Sequence, residues 1–86
     1  MDKAEITRLI EQAVKEREHM PTYVYARMAN AEIAKAGKSH KVTTTEARRV
    51  LRKLEKEGVV ALSKRDPYYK QLSWMMAGTN PFREAR

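Results

Sequence analysis

Residues 42–60, VTTTEARRVLRKLEKEGVV, read as one helix whose two ends are both written in the sequence. Thr43 and Glu46 form a T-x-x-E capping box. The threonine hydroxyl accepts from the Glu46 backbone N–H, and the glutamate is expected to reach back to the Thr43 N–H. Val42 and Ala47 hold the positions of a hydrophobic staple, a weak one because alanine is small. Gly58 tolerates the left-handed conformation that commonly ends a helix. Lys53 and Lys56 fall in the closing turns, where the helix dipole favours cations.

At 100° per residue, Ala47, Val50, Leu51 and Leu54 share one stripe, which must face a core. Thr45, Arg49, Arg52 and Lys56 point the other way, flanked by Arg48 and Lys53. An ordinary solvated face mixes signs. Here Arg48/Arg52, Arg49/Lys53 and Arg52/Lys56 are like-charge i,i+4 pairs, each costing a few tenths of a kcal/mol. Between Lys41 and Lys56 six cations face only two acids, Glu46 and Glu55. A face that accepts such repulsion points to an anionic partner. The formal net charge of +7 is also segregated. Residues 1–34 carry five cations and six acids, residues 35–70 eleven and four, and residues 71–86 two and one. All of the excess therefore surrounds this helix, which is the electrostatic footprint of a nucleic-acid binder.

Working outward, Asp2 caps a first helix with Glu5 at its N3 position. Ile6, Leu9, Ile10, Ala13 and Val14 form its apolar stripe, and Pro21 predicts its end near Glu18 or His19. MPTYVY (20–25) stays open between strand and helix: Tyr23, Val24 and Tyr25 favour strand, yet Pro21 suits a first helical turn. Residues 26–36 are alanine-rich and helical, with Met28, Ala29, Ile33 and Ala36 as the buried side and Gly37 as the stop. Lys38, His40 and Lys41 lie in the basic loop that follows. After Gly58 the period changes from 3.6 to 2. Val60 and Leu62 alternate with Val59, Ala61 and Ser63, KRDP (64–67) signals a turn, and YYKQLSWMM (68–76) resumes the alternation with Leu72, Trp74 and Met76 on one face. Residues 77–86 have no period and read as a frayed tail.

The order is helix, extended piece, helix, capped basic helix and β-hairpin with a basic tip. Over about residues 5–76 the chain resembles a winged helix-turn-helix domain, most closely in TTTEARRVLRKLEKEGVVALSKRDPYYKQLSW (43–74). The resemblance is at superfamily level. It implies an α+β, mainly α fold: three helices followed by a two-stranded β-hairpin wing, in one domain spanning residues 1–76. It also implies that the third helix enters the major groove while the wing touches adjacent backbone or minor groove. Thr44, Thr45, Arg48, Arg49 and Arg52 would then face the groove, and Lys64 and Arg65 would be the wing contacts. The loop from Gly37 to Thr43 is longer than the tight turn of a simple helix-turn-helix.

Physical chemistry leads the same way. A helix fits the roughly 12 Å major groove, and arginine pairs bidentately with guanine O6 and N7. The amino-terminal end of such a helix points at base edges, so Thr44, Thr45 and Arg48 are the expected readers. Arg52, Lys53 and Lys56 are expected phosphate contacts, as is His40 in the loop. The expected function is a double-stranded DNA-binding protein, a small transcriptional regulator. Two alternatives compete with it. One is a protein-interaction module or homodimer docking through Tyr68, Trp74 and Met76; the other is an RNA binder.

Eighty-six residues make one modest domain. Without cysteine there is neither a disulfide framework nor a thiolate metal site. His19 and His40 are 21 residues apart with no ordered carboxylate cluster, and Ser39 and Ser63 lack triad company. No Gly-rich phosphate loop exists. No enzyme, metal or cofactor is expected. With no apparent signal peptide or apolar span, a cytoplasmic protein is expected, nucleoid-associated in a bacterium.

Overall fold

The computed structural model of the chain describes residues 2–63 and 73–77. Three helices, α1 (Lys3–Glu16), α2 (Thr22–Lys35) and α3 (Thr44–Lys56), pack on a small antiparallel sheet. Its strands are β1 (Met20–Pro21), β2 (Val60–Leu62) and β3 (Ser73–Met76), in the order β1-β3-β2. This is a mainly α member of the α+β class.

The helix ends follow local chemistry. Asp2 Oδ1 accepts from the Glu5 N–H at 2.9 Å, and Thr43 Oγ1 accepts from the Glu46 N–H at 3.1 Å. Gly37 (φ 74°) closes α2 and Gly58 (φ 79°) closes α3. Both closures are Schellman motifs. Lys38 N–H donates to Ile33 O and Gly37 N–H to Ala34 O, while Val59 N–H donates to Leu54 O and Gly58 N–H to Glu55 O. The return half of the Thr43 capping box is not made among the described residues. The Glu46 carboxylate turns instead to His40, with Oε1 3.5 Å from Nε2.

The core joins Ile6, Ile10, Ala13 and Val14 of α1 to Tyr25, Ala26, Ala29 and Ile33 of α2. It continues through Val42, then Ala47, Leu51 and Leu54 of α3, and Val60, Trp74 and Met76 of the sheet. Leu9 and Val50, expected on the inner stripes, are only partly covered. Ala36 is exposed rather than buried, because α2 ends one residue earlier and the chain turns away at Gly37. Val60 is buried, whereas Leu62 is 38% exposed.

The region left open in the sequence resolves into both alternatives. α1 stops at Glu16, two residues before Glu18, because Arg17 is extended (φ −142°, ψ 93°) and His19 takes φ 68°. That sharp turn delivers Met20 and Pro21 to the sheet, opposite Trp74 and Ser73. Pro21 then caps α2, and Thr22 to Tyr25 are helical in spite of their β propensity. Tertiary bonds override the local preference. The Trp74 indole N–H donates to Thr22 Oγ1 at 2.9 Å, and the Tyr25 hydroxyl donates to the Arg17 carbonyl at 2.6 Å. The same hydroxyl accepts from the Met20 N–H at 3.2 Å and lies 3.2 Å from the Trp74 carbonyl, which also accepts from the His19 N–H at 2.6 Å. Glu18 takes part as well, accepting from the Met76 N–H at 2.7 Å.

Burial pushes the Tyr25 phenol up from its ordinary 10.0 to about 12. Below pH 10 folded and unfolded chains both hold the proton, so the contribution to stability is complete. Between pH 10 and about 12 the unfolded chain releases it first, and stability falls by roughly 2–3 kcal/mol in total. Tyr25→Phe is expected to lose about 1–3 kcal/mol at neutral pH, since Met20 N–H is left without its partner. It should also flatten the decline above pH 10. Urea midpoints measured from pH 9 to pH 12 on both proteins check this, and equal slopes would count against it.

Two residues extend the sheet's grip on the chain. Ser63 N–H donates to Ser73 O at 2.8 Å, and Ala77 N–H donates to Val59 O at 3.0 Å. Ala77, read from sequence as the start of the tail, is buried. Residues 64–72 and 78–86, which include the expected turn and most of the tail, lie outside the described residues.

Candidate nucleic-acid interface

The position of α3 depends on a side chain that sequence reading passed over. Asn30, in the middle of α2, donates through Nδ2 to the Val42 carbonyl at 3.0 Å and accepts through Oδ1 from the Val42 N–H at 2.7 Å. The amide thus replaces a strand partner for the one loop residue buried beneath α3. Mid-helix asparagine is unfavourable by propensity, and that is the only local hint of this role. Asn30→Ala removes both bonds at a partly buried site. It is expected to cost about 2 kcal/mol, read as a lowered urea midpoint with an unchanged slope.

With its apolar stripe inward, α3 presents Thr44, Thr45, Arg48, Arg49, Arg52, Lys53 and Lys56 to solvent. Thr44 and Thr45 open the helix, Arg48 and Arg49 follow one turn on, and Lys53 and Lys56 close it. These expected site residues therefore share one exposed face. Of the flanking cations, Lys38 is neutralised. Lys38 pairs with Glu5 of α1 at 3.1 Å, a link between loop and first helix that the sequence spacing conceals. His40 faces Glu46, and Lys41 is exposed. Lys64 and Arg65, the expected wing contacts, lie outside the described residues, as does Tyr68.

Arg52 differs from its neighbours. Its Nη1 donates to Glu55 Oε1 at 2.9 Å, and its guanidinium carbon stands 5.7 Å from the centroid of the Trp74 ring. A cation over an indole face is attracted by the ring quadrupole. Arg52 is thus partly committed to covering the core, which makes it a weaker candidate for phosphate than its helical position suggests. No sequence signal links residues 22 apart in this way.

Among the described residues none of Arg48, Arg49, Lys53 or Lys56 has an ion-pair partner, and the carboxylates of Glu5, Glu46 and Glu55 lie against Lys38, His40 and Arg52 instead. The result is a helix face with exposed cations and two ion pairs beside them, Lys38–Glu5 and Arg52–Glu55. Trp74 and Met76, expected as a possible docking surface, are core residues at 0% and 8% exposure. Neither offers a contact surface in this fold.

Among the described residues no three His, Asp or Glu side chains converge as a metal site, and no helix is long and apolar enough to cross a membrane. No protein-family model matches the chain, and no match is found among curated proteins.

Proposed function

We propose that the protein is a winged-helix double-stranded DNA-binding protein acting as a small transcriptional regulator. The observation that carries this reading is the set of exposed cations on α3 without carboxylate partners among the described residues. In the proposed complex α3 lies in the major groove. Thr44, Thr45 and Arg48, in its first turns, read base edges. Arg49, Lys53 and Lys56 hold phosphates, which position the helix without specifying sequence. Lys64 and Arg65 reach the neighbouring backbone or minor groove.

The test is selection from a random duplex pool at physiological salt, followed by affinity measurements on selected and scrambled duplexes over a series of salt concentrations. Neutralising about six phosphates gives a slope of log K against log salt near about −5. Convergence on a site together with that slope supports the reading. Affinity that barely changes with salt overturns it. A preference for single-stranded RNA in the same assay would favour the RNA alternative.

A further inference from the structure

A cleft of about 160 Å³ separates the start of α1 from α3. Ile6 and Val50 contribute its apolar lining, and three cations border it: Lys3 from α1, and Arg49 and Lys53 from α3. Glu46 is the one acid lining it, and its carboxylate turns to His40. The other acids at the start of α1 are also engaged, Asp2 in capping the helix and Glu5 with Lys38. Lys3 is exposed and, among the described residues, has no ion-pair partner.

We infer that Lys3, Arg49 and Lys53 together form a further phosphate-binding site, so that the DNA interface extends from α3 across the cleft onto α1. This rests on the duplex-binding reading above and adds a contact from a second helix. Three like charges on the rim of one cleft repel one another, and a backbone phosphate relieves that repulsion. Two of the three belong to the face already proposed to meet the duplex, so a phosphate beside α3 comes within reach of Lys3 without any change of docking. Residues 1–34 carry no net positive charge, which hides this contact from any reading by charge blocks.

The experiment compares wild type, Lys3→Gln, Lys3→Arg and Lys15→Gln on the selected and scrambled duplexes across salt concentrations. Lys15 is on the same helix and pairs with Glu11, so it reports on net charge alone. Lys3→Gln is expected to make the salt slope shallower by about 0.9 and to weaken both duplexes alike, by roughly 3- to 10-fold. Lys3→Arg should retain the wild-type slope, and Lys15→Gln should leave it unchanged. Matching far-UV circular dichroism shows that the variants are folded. If wild type binds with a steep slope and Lys3→Gln keeps that slope, the proposal is overturned while the duplex-binding reading stands. If Lys3→Gln instead weakens capture of a poly-glutamate peptide with the duplex slope intact, the cleft takes acidic protein and the proposal is again overturned. If wild type shows no salt-dependent duplex binding, both readings fail together.

Discussion

Arg48→Glu/Arg49→Glu is expected to abolish measurable duplex binding at physiological salt, weakening it by roughly 10³-fold or about 4 kcal/mol. Two contributions add. Loss of a bidentate arginine–guanine pair is worth about 1–3 kcal/mol, and each lost phosphate contact removes about one released counterion. The two introduced carboxylates then repel the backbone. The fold should not suffer, because both side chains are exposed and lack ion-pair partners among the described residues. Glutamates at 48 and 49 would in fact convert the like-charge pairs with Arg52 and Lys53 into attractive ones, each gaining a few tenths of a kcal/mol. A melting temperature equal to or above wild type, with binding gone, is therefore the expected pair of results. Arg52 is deliberately left in place, since its guanidinium covers Trp74 and its loss would mix folding with binding. Retention of wild-type affinity by the folded double variant would remove the principal support for DNA binding.

Trp74→Ala is expected to be the most damaging single core substitution. The indole is fully enclosed, its N–H bonds Thr22, and the residue pairs with Met20 on one side and Leu62 on the other. Truncating a buried aromatic costs about 3–5 kcal/mol, and Thr22 Oγ1 loses its donor as well. At roughly 0.05–0.15 kcal/mol per residue, a chain of 86 residues holds about 4–13 kcal/mol in all. At the lower end of that range the variant is largely unfolded; at the upper end its melting temperature falls by more than about 12 °C. Far-UV circular dichroism is the suitable readout, since the substitution removes the chain's single tryptophan. A melting temperature within a few degrees of wild type would show that the indole is not the centre of the sheet's packing.

Local signals carried most of the helical layout. The cap at Thr43, the glycines at 37 and 58 and the 3.6-residue stripes act over neighbouring residues, so α3 and the Asp2 cap of α1 are legible where they occur. The exposed face of α3 follows from the same periodicity, and with it most of the candidate site. What escaped notice depends on partners far apart in the chain. Tyr23, Val24 and Tyr25 have strand propensities, but the positions of Arg17 and Trp74 decide that they are helical. β1 has two residues, too few for alternation to register. Glu46 matches a capping box in spacing, yet its carboxylate stands 3.5 Å from the imidazole that the loop places beside it, His40. Asn30, Lys38 and Arg52 owe their roles to Val42, Glu5 and Trp74, none of which is readable from local pattern.

The strand order β1-β3-β2 has a consequence for the order of synthesis. β3 is the central strand, although it follows every other described element in the chain. A nascent chain can wind all three helices while β1 and β2 still lack the strand that joins them. The carbonyl of Trp74 and the N–H of Met76 also engage His19 and Glu18, so the exit of α1, already tied to α2 by the Tyr25 hydroxyl, gains its bonds to the sheet only once translation has passed residue 76. A ribosome that stops short releases a chain with its basic helix but without the sheet behind it. Completion of the fold is thereby tied to completion of β3.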